Sequence, residues 1–493
     1  MTKLALNTKN RRRVPGAIKV LAWLFGILVC LPIAMFTLWN SIDEAPNANA
    51  TRYLKVPEQR IPDAQNAWLL SAGLDAAEDL DPITIGRRRV DAFSARAAQQ
   101  PMPKADAAEL ELFKDALPVV GLDAEVDGVA DLCVPSDGNC LQWALQHGGA
   151  LKRLQRANAA RLERTQKLMQ LPGWQNLYAA TSESPYPVGL FWLQRLLTAQ
   201  QLAQSEASPA ASEALAQLGK TALFWRQMRA SPQELFSVEL SGREIEATYW
   251  LVSEWLDRAP REALATNAQA LDQILAAPAN KLDWSNAMSV QFRGFEHAMR
   301  GETSGAASRW WRCMRSNADE HAATRNDSCL LQAAINLAYV HQATMNLAAD
   351  NYAQIQLLAE ATPQQLPAVE AAGSIILQRT FPQLDRVSLQ QLSYNWTGRI
   401  LAAVAIPAFD YGKREQDRDA LRRIVQIKRE ARAAGSSAAL MQRFVLARPH
   451  LYSPPDGLPM SWDETQSELS FVPLAKNYWK RDVIAIGFAQ IQR

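Results

Sequence analysis

The longest unbroken apolar run in the chain is Val20–Trp39, VLAWLFGILVCLPIAMFTLW, twenty residues without a charge. As a helix rising 1.5 Å per residue, it matches a hydrocarbon core of about 30 Å. Beyond it, apolar positions recur at helical spacing almost throughout, and the stretches 151–171, 243–259 and 326–360 lack both Gly and Pro. At Ser231-Pro232-Gln233-Glu234 a helix start is marked by a Ser N-cap, a Pro at N1 and a Glu at N3. Thr362-Pro363-Gln364-Gln365 repeats that pattern, and Ser388-Leu389-Gln390-Gln391 repeats it without the Pro. Near the end of the chain the period shortens. Met460-Ser461-Trp462 and Leu469-Ser470-Phe471-Val472 alternate around Asp463-Glu464, after the turn cluster Pro454-Pro455-Asp456-Gly457-Leu458-Pro459. The pattern predicts an all-α, predominantly helical body with one N-terminal transmembrane helix and a small C-terminal β-hairpin.

These signals divide the chain into a basic head at 1–19, the span at 20–39, a Pro-bearing tether at 40–65, a helical body at 66–449 and a tail at 450–493. Trp462, Phe471, Trp479 and Phe488 offer more apolar area than a free tail should expose, so the tail is expected to dock on the body. No internal repeat of fixed period is present. The apolar stretch Ile400–Phe409 is too short to cross a bilayer and reads as a buried helix ending near Pro407.

Charge sharpens the topology. The chain holds 52 Lys+Arg against 50 Asp+Glu, but Lys3, Lys9, Arg11, Arg12, Arg13 and Lys19 all precede the apolar run. The remainder is mildly acidic, which argues against a nucleic-acid binder. Basic residues before the span and Asp43 and Glu44 after it place the N-terminus in the cytoplasm and the body in the periplasm, with the lipid bilayer as partner of residues 20–39. Cleavage of the run as a signal peptide is the alternative, since Ala48-Asn49-Ala50 fits an A-x-A site. The run is longer than a usual signal core, and that site lies well past its end. With 22 Gly and 26 Pro, the chain is neither collagen-like nor low-complexity.

Five cysteines are present, Cys30 inside the run and Cys133, Cys140, Cys313 and Cys329 beyond it. Export favours disulfides, and the sequence-local pairing is Cys133–Cys140 with Cys313–Cys329; free or cross-paired thiols stay open. Neither spacing is that of a zinc site.

The search for catalytic chemistry returns no candidate: no catalytic, cofactor-binding or metal-ligating residue is assigned. The chain contains no G-x-S-x-G, G-x4-G-K-[ST], H-E-x-x-H or G-x-G-x-x-G. Glu296-His297 and Asp319-Glu320-His321 place acids beside a His, but adjacent residues on a helix face apart. His147 reads as a loop residue beside Gly148-Gly149, and His341 as a helix-face or boundary residue. Close carboxylates such as Asp79 with Asp81 and Glu415 with Asp417 read as solvated faces, as do the basic runs Arg87-Arg88-Arg89 and 151–171. The remaining Trp, including Trp250, Trp255, Trp310 and Trp311, read as core.

Asn66-Ala67-Trp68-Leu69-Leu70-Ser71-Ala72-Gly73-Leu74, Thr344-Met345-Asn346-Leu347, Gly398-Arg399-Ile400-Leu401 and Asp456-Gly457-Leu458-Pro459-Met460-Ser461-Trp462 resemble segments of uncharacterised membrane-anchored envelope proteins of Gram-negative bacteria. That resemblance implies an envelope protein and supplies no catalytic residues. The order of head, span, tether and helical body also resembles lipase-specific foldases. Of their R-x-x-F-D-Y motif, Phe409-Asp410-Tyr411 is present, with Ile406 in place of the Arg. The leading expectation is a non-catalytic interaction or scaffold protein of the envelope, with an envelope protein as partner. An envelope hydrolase acting on lipid or cell wall and a foldase-like chaperone are the alternatives.

Overall fold

The computed structural model describes residues 16–55, 61–97, 99, 105–114, 116–117, 133, 135–177, 188–204, 209–230, 235–278, 282–303, 339–380, 394–404, 410–453 and 457–488. It is predominantly helical and carries a small three-stranded sheet near the C-terminus. The helices that matter below run, in chain order, α1 (Gly16–Asn40), α2 (Ala48–Leu54), α3 (Ala67–Ala72), α4 (Pro82–Ala97), α5 (Cys140–Gln146), α6 (Gly148–Ala157) and α7 (Ala159–Leu168). They continue with α8 (Val188–Gln204), α9 (Pro209–Arg229), α10 (Leu235–Arg258), α11 (Ala268–Leu275) and α12 (Trp284–Thr303). The last are α13 (His341–Glu360), α14 (Leu366–Thr380), α15 (Trp396–Val404), α16 (Tyr411–Ala434) and the single turn α17 (Lys476–Trp479).

The chain divides into two compact units, residues 1–46, 305–347 and 378–404 forming one and the remainder the other. In the first unit α1 is almost wholly apolar, and Trp23, Phe25, Leu28 and Leu38 along it are exposed. Counting described side chains alone, no helix is long and apolar enough to cross a membrane. The span expected at 20–39 is therefore not shown among the described residues. The residues that follow α1 are not a free linker. Both carboxylate oxygens of Asp43 accept from the Gln342 and Ala343 N–H groups at the start of α13, at 3.0 and 3.1 Å, where a helix favours negative charge. Asn346 donates to the Glu44 side chain and the Ala45 carbonyl, and Asn40 accepts from the Asn395 N–H. Asn395 adopts the left-handed region, φ 52°, and its side-chain oxygen accepts from Val340 N–H and the Thr344 hydroxyl. The helix read at Ile400 is only half buried, with Ala402 inward and Val404 exposed; residues 405–409 lie outside the described set.

In the second unit α8, α9, α10 and α16 pack as successive neighbours, with α11 against both α9 and α16. Their shared core holds Leu196, Leu218, Trp225, Leu251, Trp255 and Ile424, each nearly inaccessible. Trp68, Trp174 and Trp250 are buried as expected, whereas Trp310 and Trp311 lie outside the described residues. Helices α3 and α4 cross at a pair of glycines: a Cβ on Gly86 would stand 1.9 Å from the Leu69 carbonyl oxygen, so only glycine permits this approach. Helix α2, inside the segment read as a tether, buries Tyr53, whose hydroxyl donates to Gln356 at 2.8 Å. Residues 151–171 form two helices, α6 and α7, broken at Asn158. Their leucines face inward, yet Arg161 and Arg164 are also buried and donate to the carbonyls of Leu117 and of Leu74, Ala76 and Ala77. Arg89 likewise is buried, bonded to Ala72, Asp75 and Leu112. The solvated-face reading fails at these three positions, because a guanidinium can satisfy several loop carbonyls at once.

The helix start at 231–234 lies outside the described residues, directly before α10. At 362–365 the reciprocal half of a capping box is present: the Gln365 side chain accepts from the Thr362 N–H at 3.0 Å. The tail exceeds the expected hairpin by one strand. Strands β1 (Ser461–Asp463), β2 (Glu468–Phe471) and β3 (Ile484–Gly487) form an antiparallel sheet in that order, with Trp462 opposite Leu469 and Leu469 opposite Ile486. Leu469, Phe471, Ile484 and Ile486 point into the core, Phe488 is buried, and Trp462 and Trp479 pack against it.

Candidate functional site

The densest chemistry lies where α10, α16 and the tail meet. Helix α16, YGKREQDRDALRRIVQIKREARAA, is half charged, yet its buried positions include Asp417, Arg418, Leu421, Arg422, Ile424 and Lys428. Asp417, Leu421, Ile424, Lys428 and Ala431 recur at i, i+3 or i+4, so Asp417 and Lys428 occupy the same stripe as the aliphatic residues. Two charges therefore stand where a helix of this kind would place apolar side chains.

Arg418 is the hub. Its guanidinium donates to Glu239 at 3.1 Å, to Glu415 at 2.5 Å and to the Tyr478 hydroxyl at 3.2 Å, and lies 3.4 Å from Glu246. Tyr478 in turn donates to Glu246 at 3.0 Å. Gly242 makes the space: a Cβ there would stand 2.4 Å from the guanidinium. Glu239 also accepts from Arg243 at 2.9 Å and pairs with Arg414 at 3.3 Å, while Glu415 pairs with Arg229. Arg414 lies over the Tyr478 ring, 4.5 Å from its centroid.

Burial raises every carboxylate here, and the cations decide which of them escape. Arg418 with Arg243 and Arg414 more than offsets burial for Glu239 and holds it below its ordinary value. Arg229 and Arg418 do the same for Glu415. For Glu246 burial prevails over Arg418 and the Tyr478 hydrogen bond, and its carboxyl is raised. Burial, reinforced by Glu246, pushes Tyr478 up to about 12. Arg418 is driven further up by Glu415 and Glu239 against its own desolvation, so it is a permanent cation.

Immediately before Arg418 in the chain, Asp417 is fully buried and accepts from the N–H groups of Leu474 and Ala475, at 2.8 and 2.9 Å, and from the Trp479 indole at 3.0 Å. Burial raises it to about 6 despite these donors. Lys428, also fully buried, pairs with Asp257 at 2.7 Å and donates to Ser253 and to the Gly487 carbonyl at 2.6 Å, at the end of β3. Burial lowers its pKa, and Asp257 opposes that. Two buried charges of opposite sign on one helix thus hold two points of the tail.

The sequence reading placed Glu415 and Asp417 on a solvated face, and the structure corrects it. The available signal was the position of Asp417 on the apolar stripe of α16. Cys133 and Cys140 form the expected disulfide, Cα–Cα 5.2 Å, and Cys30 is a free, exposed thiol. Cys313 and Cys329 lie outside the described residues. Glu254 of α10 receives the Cys140 and Leu141 N–H groups at 3.1 and 2.9 Å, so the disulfide turn and the start of α5 rest on α10. His147 is not a free loop residue: it caps α5, stacks on Trp143 and contacts the Trp143 carbonyl through Nδ1. Glu296 pairs with Arg300, and His341 opens α13 beside the Tyr339 hydroxyl. Asp410 pairs with Arg414, and Tyr411 packs on Trp284, both within the helical body; Phe409 lies outside the described residues. Among the described residues no group of three His, Cys, Asp or Glu is placed to hold a metal ion.

As chemistry, the junction neutralises charge internally. It binds helix to helix and tail to helix. No protein-family model, no curated protein and no solved structure matches this chain.

Proposed function

We propose that this chain is a single-pass inner-membrane protein whose helical body lies in the periplasm and serves as a non-catalytic interaction or scaffold protein of the cell envelope. The observation that carries the anchor is the charge-free run Val20–Trp39, behind six basic residues and within a helix whose side chains Trp23, Phe25, Leu28 and Leu38 are exposed. An apolar helix surface of that extent is stable only when something other than water covers it. The Cys133–Cys140 disulfide supports an oxidising compartment for the body. The scaffold role is supported by the junction around Arg418, where the buried charges join α10, α16 and the tail into one framework.

Alkaline phosphatase fused after residue 60 should be active, and a reporter that works only in the cytoplasm should be silent at the same position. A soluble product beginning at Thr51 would overturn the anchor. In membranes, cross-linking of the body should capture one envelope partner in constant proportion. Release of product from lipid or cell-wall substrates by the purified chain would overturn the non-catalytic role.

A further inference from the structure

A second concentration of charge lies on another part of α16. Arg422, Gln426 and Arg429 follow one another at i, i+4 and i+7 on one face, about 10 Å along the axis from first to last, with Arg423 beside them. They line a cleft of about 420 Å³ whose other wall is the end of α11 and the residues after it, Leu275, Ala276 and Ala277, with His450 and Leu451 at one side. That volume is within the range of small-molecule sites.

The arginines are fixed before any ligand arrives. Arg422 and Arg423 both hold Asp419, at 2.8 and 2.9 Å through their Nε atoms. Arg422 also donates to the Leu275 carbonyl and Gln426, and Arg423 to the Tyr452 carbonyl. Arg429 donates to Asp272 at 2.6 Å and contacts the Ala268 carbonyl at 3.3 Å. Each guanidinium carries five N–H donors, more than the acceptors it meets, and the Arg429 Nε–H has no acceptor among the described residues. Three cations face two carboxylates, which leaves the cleft positive. Its weakest link is Asp272, whose side chain is 69% exposed. An exposed pair of this kind contributes little, so a stronger anion can share or take its place on Arg429.

From these placements we infer that the cleft is a binding site for a phosphate monoester, the phosphate bracketed by Arg422, Arg423 and Arg429 and the organic part lying on the exposed Ala276 and Ala277. Planar guanidinium forks match phosphate oxygens in pairs, and the adjoining aliphatic wall suits an ester rather than the bare ion. Such a group is carried both by soluble phosphate esters and by phosphatidic acid, and the probes below separate the two sources. The inference does not depend on the membrane anchor or on the scaffold role.

The test is isothermal titration of the detergent-solubilised full chain with glycerol 3-phosphate and, separately, with short-chain phosphatidic acid in the same detergent. Binding of either should weaken as salt rises, because the contact is ionic. Arg429→Gln should weaken binding about tenfold, and Asp272→Asn should strengthen it several-fold by removing the competing carboxylate. Those opposite signs distinguish a site from a loss of folding, since an unfolded variant cannot bind more tightly. Binding of glycerol 3-phosphate assigns a soluble ester, and binding of phosphatidic acid alone assigns a lipid headgroup. The inference is overturned if neither probe binds below roughly 10 mM. It is also overturned if Asp272→Asn leaves the affinity unchanged or weakens it.

Discussion

Helices α1 and α16 are nearly equal in length, 25 and 24 residues, and inverted in exposure. The first is almost entirely apolar, and its Trp23, Phe25, Leu28 and Leu38 are exposed; the second is half charged, and its Asp417 and Lys428 are fully buried. Hydropathy alone would order them the other way. What separates them is partners. The buried charges of α16 meet opposite charges or backbone groups at hydrogen-bonding distance, which offsets the several kcal/mol that desolvation of each ion costs. The apolar surface of α1 has no equivalent cover among the described residues, which is why a bilayer is the proposed one.

The hardest test of this contrast is Arg418→Ala. It removes the one cation that Glu239, Glu246 and Glu415 share, leaving Glu246 with the Tyr478 hydroxyl, and should destabilise the body by about 3–5 kcal/mol in chemical denaturation. Recovery of most of that loss by Arg418→Lys would show that charge alone suffices and would break the case for a shaped guanidinium site.

Next in size is a pH effect. Asp417 is raised from 3.8 to about 6 on folding, so the folded chain holds its proton to higher pH than the unfolded chain does. Its contribution is therefore most favourable at low pH and is lost as pH rises through the folded value. Between pH 4 and pH 7 the native chain should lose about 2.5 kcal/mol relative to Asp417→Asn, read as the difference between two stability–pH curves. Parallel curves would remove Asp417 from the account.

Removal of the Cys133–Cys140 bond by paired Cys→Ala substitution follows, at about 2–3 kcal/mol from loop-closure entropy across a separation of seven residues. Smallest of all is Leu28→Ser on α1. That side chain is 72% exposed, so the melting of the purified protein should stay within error while retention in the membrane falls. A clear drop in melting would give α1 a packing role and weaken the contrast with α16.

Much of the architecture was legible in the residues because it rests on local signals. Helical spacing, the Thr362 start, the alternation at 461–471 and the turn between Cys133 and Cys140 all act within a few residues. The tail was legible as docked from Phe471 and Phe488, but the role of Ile484–Gly487 as β3 depends on pairing with β2 across more than ten residues. The ionic junction was hidden for a stronger reason. Glu239 and Arg418 are 179 positions apart, and nothing local marks them as partners. Arg161 and Arg164 escaped for the same cause: their acceptors are backbone carbonyls of distant loops, which every sequence has and none advertises. The trace that was present is on α16, where Asp417 and Lys428 interrupt the stripe of Leu421, Ile424 and Ala431. A charge at a core position is a request for a remote counter-charge.

The tail's grip on α16 also sets a timetable. Glu246 is made 232 positions before Tyr478, its hydroxyl partner, and at ordinary synthesis rates of about 5–20 residues per second the wait is on the order of 10–50 s. In the last part of that interval, once residues 417–428 are made, the newborn helix carries Asp417 and Lys428 with no tail to receive them. The centre of the body therefore closes late, after the ribosome has delivered the strands near residue 484, and a chain broken off early would present unmatched charge in place of a finished core.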